Sequence, residues 1–528
     1  MAKSITEIIK KRIVPISFVS ILGGLLWIYL PTFYNAPRSD WWESLYFFHT
    51  LYSSNEVSKW LDVLTTDCFG HVTFRPISHV ILLIQHIMFG ANFIYMHVIN
   101  FSFYCLSLVL IYKFAKIFIS SQRLILFYVA VFAFLFTHFD IVSWTAHSYF
   151  ILSFCSFLLG FILYERFMRT GRRIILFSVV FLFLFGMLCY EAFVMWPFAI
   201  IILSYIKGPE NKKKNSKTNL RLAYILVIGV VYIFYLGIFF LVRSIPTYTD
   251  SWLQTSILIS DMASISKVFR TVLAVNFNIL YNGVFVNVFP ALANPSWIDP
   301  VSSNICMGGF LTSHRPTLLI EGVFSVISVV TFVSIIIYLF RQKKYDILKI
   351  YIFFIFLLFS FLFVLFHFKY FSNKEYFYSF LQFRYQYVPN AFILLIAALF
   401  IDKFMKHKKK LKLILFSLTF VIAICHMCFT KNYIDLEVNQ MASLNKILLN
   451  IKNGINSGRI SKNGKLYIDD DIVNFLPRMS WNHCIGKLYM RKTYQWIFNK
   501  REMKYFSDTP EYACWTIDRE SLGLMLLK

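Results

Sequence analysis

Apolar residues in this chain gather into long runs parted by short polar breaks, near 13–33, 96–118, 124–139, 147–164, 174–190, 192–206, 221–242, 318–340, 347–367, 387–402 and 411–429. An α-helix rises ~1.5 Å per residue, so about 20 residues cross a hydrocarbon core ~30 Å thick. Most runs approach that length, and they lack the two-residue alternation of a membrane β-barrel strand. The pattern predicts an all-α polytopic membrane protein with about 11 transmembrane helices. Lys10, Lys11 and Arg12 precede the first run without a small-residue cleavage site, which reads as a retained first helix.

Three segments interrupt this rhythm: 34–95, 243–316 and 430–528. Long connections usually carry function. Within the first, Ile77 to Met88 is an apolar run too brief to span, and an interfacial helix is expected there. The second reads as a large loop. In the third, Lys465-Leu-Tyr-Ile468 reads as a strand among Gly, Asn and Asp turn signals, which predicts a small α/β domain. The chain thus divides into a transmembrane domain, 1–429, and a C-terminal domain, 430–528.

Composition sharpens the picture: 58% of residues are hydrophobic, 19% aromatic and only 15% charged, too apolar for a fully hydrated surface. The formal net charge of +25 does not imply nucleic acid, because Lys and Arg sit in short clusters between the runs. Lys113, Lys116 and Arg123 form one cluster; Arg166, Arg169, Arg172 and Arg173 another. Lys212 to Lys214, Arg341 with Lys343 and Lys344, and Lys406 with Lys408 to Lys410 complete the set. Alternation puts all of them on the side of the N-terminus, the cytoplasmic side by the positive-inside rule, and leaves the three long segments outside. The bilayer and its anionic head groups are then the partners that this charge implies. The nine Cys form no CxxC pair, and Cys105, Cys155, Cys189 and Cys425 fall inside apolar runs. Cys484 and Cys514 lie in the tail, where an oxidising compartment would permit a disulfide and spacing leaves it open. No Walker loop or dinucleotide fingerprint is present.

Candidate chemistry comes from ionisable groups near the ends of the runs, which are costly unless hydrated, paired or used. Asp40 and Glu43, three residues apart, would share a face if their stretch is helical, and either carboxylate suits a general base; solvated acids beside an interfacial Trp belt are the plain alternative. Arg75 and His79 open the interfacial helix with Pro76, and a guanidinium there fits a phosphate oxygen or a lipid head group. His138, Asp140 and Glu191 occupy outer turns, and Arg384, Tyr385 and Tyr387 precede the tenth run. A cation with aromatic neighbours suits a lipid phosphate and its isoprenoid chain, and equally an interfacial anchor. Asp469 to Asp471 reads as a strand end rather than a metal string.

The stretch Phe74–Lys116, FRPISHVILLIQHIMFGANFIYMHVINFSFYCLSLVLIYKFAK, resembles the first outer loop and second span of polyprenyl-phosphate-dependent glycosyltransferases of the GT-C fold. Arg75, Pro76, Phe89, Gly90, Asn92, His97 and Asn100 agree in register. His138-x-Asp140-x-Val142-x-Trp144 is similar to H-x-E-x-V-x-W, Cys189-Tyr-Glu191 with Pro197 to S-K-E…P, and Arg384-Tyr-x-Tyr387-x-Pro389 to R-Y-x-Y-x-P. The resemblance covers 1–206 and 384–402. It implies a GT-C-like fold in a bacterial inner membrane, with the C-terminal domain periplasmic. It also implies Asp40 as catalytic base, Glu43 and Asp140 as accompanying acids, and Arg384 with Arg75 on the phosphate of the donor. His79, His138, Glu191, Tyr385 and Tyr387 are expected in the same substrate and lipid-phosphate site. The implied donor is a polyprenyl-phosphate sugar, with a hexose such as glucose, and the implied acceptor a surface glycan such as O-antigen. Asp140 and Tyr190 stand where the family has Glu and Lys, and Ser39-Asp40 where many members have paired acids. These departures leave the sugar and the need for a divalent cation open. The large loop and tail look like those of phage-type serotype-converting glucosyltransferases. The rival readings are an O-antigen polymerase or ligase, for which His314-Arg315-Pro316 would serve, and a lipid-linked-sugar flippase, which the lack of internal repeats and mid-span carboxylates disfavours.

Overall fold

The apolar runs fold as helices in the computed structural model, which describes residues 2–35, 75–89, 93–207, 214–243, 265–288, 318–369, 383–405, 408–460, 466–467, 515–518, 520–521 and 524–526. In chain order the helices are α1 (Ala2–Tyr29), α2 (Pro76–Phe89), α3 (Phe93–Ala115), α4 (Gln122–Ala133), α5 (Phe139–Ser143), α6 (Ser148–Thr170), α7 (Arg173–Cys189) and α8 (Ala199–Lys207). They continue as α9 (Lys214–Arg243), α10 (Ile265–Leu280), α11 (Val286–Val288), α12 (Leu318–Arg341), α13 (Tyr345–Lys369), α14 (Tyr387–Phe404) and α15 (Lys409–Asn456). Among the described residues, 8 helices are long and apolar enough to cross a membrane, or 9 if a bent pair counts as one span. The protein is a multi-pass membrane protein.

The basic loops meet at one end of this bundle. The Asp402 carboxylate, near the end of α14, accepts from the Ser120 backbone N–H at 3.4 Å and its hydroxyl at 3.1 Å. The Lys207 ammonium lies 5.7 Å from the Phe118 ring centroid and within the electrostatic reach of Glu165, Arg169 and Lys403. At mid-bundle the packing of α6 on α7 is keyed by reciprocal glycines. Gly160 lies against the Phe183 ring and Gly186 against Phe157, so a Cβ at either glycine would overlap a ring. Small residues permit such close approach where lipid supplies no hydrophobic drive between helices. Conversely, Val323, Val326, Val330, Val333 and Phe340 of α12 stand exposed along one helix, as expected where lipid is the solvent.

Four expectations change in detail. The run at 124–139 is broken: α4 ends at Ala133, and Phe136–Ser143 follows at 61°. The run at 192–206 is two 3-10 turns, Glu191–Phe193 and Trp196–Phe198, followed by the 9-residue α8. The steeper rise of 3-10 turns lets this short segment lead from Glu191 to Lys207 at the basic end. The last run, expected to end at 429, continues as helix, because α15 runs unbroken through 48 residues to Asn456. At ~1.5 Å per residue that is about 72 Å, more than twice the hydrocarbon thickness. Finally, the loop 243–316 contains a helix of membrane length, Val268–Val288, formed by α10, a π turn at Tyr281–Phe285 and α11.

Its hydrogen bonds do not carry it to the basic end of the bundle. The Ser325 hydroxyl donates to Leu273 O at 2.6 Å and the Ser328 hydroxyl to Asn276 Oδ1 at 3.3 Å, a constant offset that sets α10 parallel to α12. Continued straight, Asn287 would reach the level of Leu339, beside basic Arg341. Instead Asn287 Nδ2 donates to Asn390 Oδ1 at 2.7 Å, near the start of α14 and away from the basic end. The π turn absorbs the change of direction.

Beyond the bundle, β1 (Leu466–Tyr467), β2 (Trp515–Ile517) and β3 (Leu524–Leu526) form a three-stranded sheet, β1 parallel and β3 antiparallel to β2. The strand expected at 465–468 is β1. Gly454, near the end of α15, lies against Leu524 and Ile460, so the sheet packs on the far end of that helix.

Candidate functional site

Pro76 starts α2 without loss of a backbone hydrogen bond, and the Ser78 hydroxyl donates to Arg75 O at 2.8 Å. Ser78, His79, Leu82 and Gln85 form the buried face of α2, and Gln85 Nε2 donates to the Ser148 hydroxyl at 3.1 Å. This holds Arg75 at the bundle end opposite the basic loops, facing the turn that follows α7. There Tyr190 is extended and Glu191 begins a 3-10 turn. Arg75 Nε and Nη2 donate to the two Glu191 carboxylate oxygens. The guanidinium carbon lies 4.2 Å from the Tyr190 ring centroid and 5.9 Å from that of Tyr149. The side chains are 6% and 16% exposed, so this is a buried ion pair with a cation–π floor. Burial alone would lower the Arg75 pKa; the Glu191 charge and hydrogen bonds outweigh it and raise the guanidinium above its ordinary value.

A second cluster surrounds His138. The Tyr104 hydroxyl donates to Ala133 O at 2.8 Å, so it accepts from His138 Nδ1–H at 3.2 Å. His138 Nε2 then accepts from Asn390 Nδ2 at 3.3 Å. Asn390 Nδ2 also donates to the Thr137 hydroxyl at 2.9 Å, and Asn287 ties this group to α11. His426 of α15 donates from Nε2 to Asn287 O at 2.8 Å and accepts the Phe136 N–H at Nδ1, 3.0 Å. Asn100 Nδ2 donates to Ile141 O at 3.0 Å and Val142 O at 2.7 Å, which fixes the short helix that carries Asp140. Asp140 is 1% exposed, a buried carboxylate rather than a solvated turn acid.

The turn Phe383–Gln386 packs against both Phe136–His138 and α5. Tyr385 is buried and electrostatically close to Tyr190. Tyr387 packs on Tyr104, Phe132 and His138, with its hydroxyl bonded to Ser107. The structure thus brings together Arg75, His138, Asp140, Glu191, Tyr385 and Tyr387, with His79 buried on the adjoining face of α2. Arg384 is placed in this turn by its backbone, and its side chain lies outside the described residues. Asp40, Glu43, His314 to Pro316, Asp469 to Asp471, Cys484 and Cys514 also lie outside them. Among the described residues, no three His, Cys, Asp or Glu side chains come together as a metal cage. Sequence reading missed Tyr149, Asn287, Asn390 and His426. Asn390 and His426 carried a signal, as polar groups inside apolar runs that lipid would not tolerate unpaired. No protein-family model and no curated protein matches this chain.

Proposed function

We propose that the chain is a GT-C-like glycosyltransferase with about 11 transmembrane helices in a bacterial inner membrane. It moves a hexose such as glucose from undecaprenyl phosphate to a surface glycan such as O-antigen. In this reading the N-terminus is cytoplasmic, and residues 430–528 form a small periplasmic α/β domain. The observation that carries it is the gathering of four distant segments, 75–79, 138–140, 190–191 and 384–387, at the end of the bundle away from the basic loops. These are the segments that carry the resemblance to that fold. A buried, tyrosine-lined charge pair beside a turn bearing Arg384 suits a substrate that is part phosphate and part lipid.

In the proposed reaction Asp40 accepts the proton of an acceptor hydroxyl. The hydroxyl oxygen forms a bond to the anomeric carbon as the bond to the phosphate oxygen breaks, with inversion. Undecaprenyl phosphate departs with the bonding electrons, and Arg384 stabilises its charge. The phosphate is a good leaving group, so orientation and charge stabilisation are the main demands on the protein. Mass spectrometry of the surface glycan, with and without the gene, tests the reading. Loss of a side-branch hexose is expected, restored by wild type and not by Asp40→Asn expressed at equal abundance. An unchanged glycan refutes the reading, and loss of long chains instead assigns a polymerase.

A further inference from the structure

Where α3 meets the turn between α5 and α6, three buried polar atoms have no hydrogen-bond partner among the described residues. The Asn100 amide of α3 spends its Nδ2 hydrogens on Ile141 O and Val142 O, which fixes its orientation, and its Oδ1 is unpaired. The hydroxyl of the next residue, Ser143, is unpaired too, and so is that of Thr145. All three side chains are buried. α3, α5 and the 3-10 turn Thr145–His147 each pack on the other two, so the three atoms share the corner where these elements join. A buried polar atom without a partner is rare in native proteins and calls for a reason. The corner also lies between the two clusters described above. α5 carries Asp140, and α6 carries Tyr149, whose ring centroid is 5.9 Å from the Arg75 guanidinium carbon.

The types of these atoms select the ligand. A carboxamide oxygen only accepts, so whatever meets Asn100 Oδ1 must bring a proton. A phosphodiester or a carboxylate offers acceptor oxygens alone, and both that oxygen and the buried Asp140 carboxylate would repel it. An ammonium group would leave the hydroxyl protons of Ser143 and Thr145 unused. Hydroxyls give and accept alike. Neighbouring hydroxyls on a neutral ring, as in a hexopyranose, therefore match one obligate acceptor beside two adaptable groups. A site that reads a substrate hydroxyl in this way rejects an analogue lacking it, because its own buried groups are then left unpaired.

We infer that Asn100 Oδ1 and the hydroxyls of Ser143 and Thr145 bind hydroxyl groups of the transferred hexose and thereby select a neutral sugar. The inference rests on the glycosyltransferase reading in naming a lipid-linked hexose as the molecule that brings those hydroxyls.

The test is retention of three lipids by the purified full-length protein, read by native mass spectrometry: glucosyl phosphoryl undecaprenol, undecaprenyl phosphate and undecaprenol. Wild type is expected to hold the glucosylated lipid about tenfold better than undecaprenyl phosphate. Ser143→Ala and Thr145→Val should each cut that preference several-fold and leave retention of undecaprenyl phosphate unchanged. Asn100 stays in place, because its Nδ2 holds α5. Melting of the lipid-free protein supplies a second readout. Thr145→Val exchanges an unpaired buried hydroxyl for a methyl, so its melting temperature should rise by about 1–2 °C. A fall instead would mean that the hydroxyl serves the fold, through a bound water for example, and would overturn the inference. Wild type that holds the glucosylated lipid no better than undecaprenyl phosphate, yet both better than undecaprenol, refutes the inference and spares the reading. Folded variants that keep the wild-type preference do the same. Wild type that fails to distinguish either phosphorylated lipid from undecaprenol refutes both.

Discussion

Arg75 and Glu191 stand 116 residues apart and meet in one buried two-point contact. Leaving one member of such a pair uncompensated costs about 3–5 kcal/mol, whereas apolar replacement of both is often neutral. Glu191→Leu is therefore expected to lower the melting temperature in detergent sharply, and Arg75→Met with Glu191→Leu to recover most of the loss. Equal destabilisation by the single and double changes would show that the charges do not compensate one another. The sequence marked both residues, because an Arg before a helix-starting Pro and an acid at the end of an apolar run are conspicuous. It could not pair them, since no local spacing links positions so far apart. Tyr149 was invisible for another reason: tyrosine is common in this chain, and only burial distinguishes this one.

At the scale of elements, α10 and α11 test whether apolar length alone means passage across the membrane. Asn276, Asn278 and Asn287 punctuate this helix, and each finds a polar partner: Ser328, Gln386 and Asn390. Single cysteines at Ile265 and Val288, its two ends, are expected to react with an impermeant maleimide from the side of Asn35. A cysteine at Lys343 should react only from the other side. Labelling of 265 and 288 from opposite sides would make the helix a true crossing. The same asparagines explain why the sequence read 243–316 as a loop, because they dilute apolar runs that only tertiary pairing makes tolerable. The other spans were legible because lipid exposure leaves long stretches uninterrupted, as along α12. The break in α4 was not, since it depends on His138 meeting Tyr104 and Asn390.

For the whole molecule, α15 links what lies within the bundle to what lies beyond it. Its first part is membrane-like, Lys410–Asp435, and ends in the Lys431–Asp435 ion pair. Further along, Asn445 Nδ2 donates to Asn35 Oδ1 at 3.3 Å, which ties the projecting part to the end of the first span. Because that helix is unbroken, every residue beyond the bilayer has a fixed phase as well as a fixed height. One alanine inserted between Asp435 and Asn445 turns all that follows by about 100° and lifts it by about 1.5 Å. A cysteine pair at 35 and 445 should cross-link in the parent and fail to do so with the insertion. Persistent cross-linking would mean that the helix yields by unwinding. Residue count in this single rod thus sets the azimuth of the β-sheet around the membrane normal, much as tooth number sets the angle of a gear.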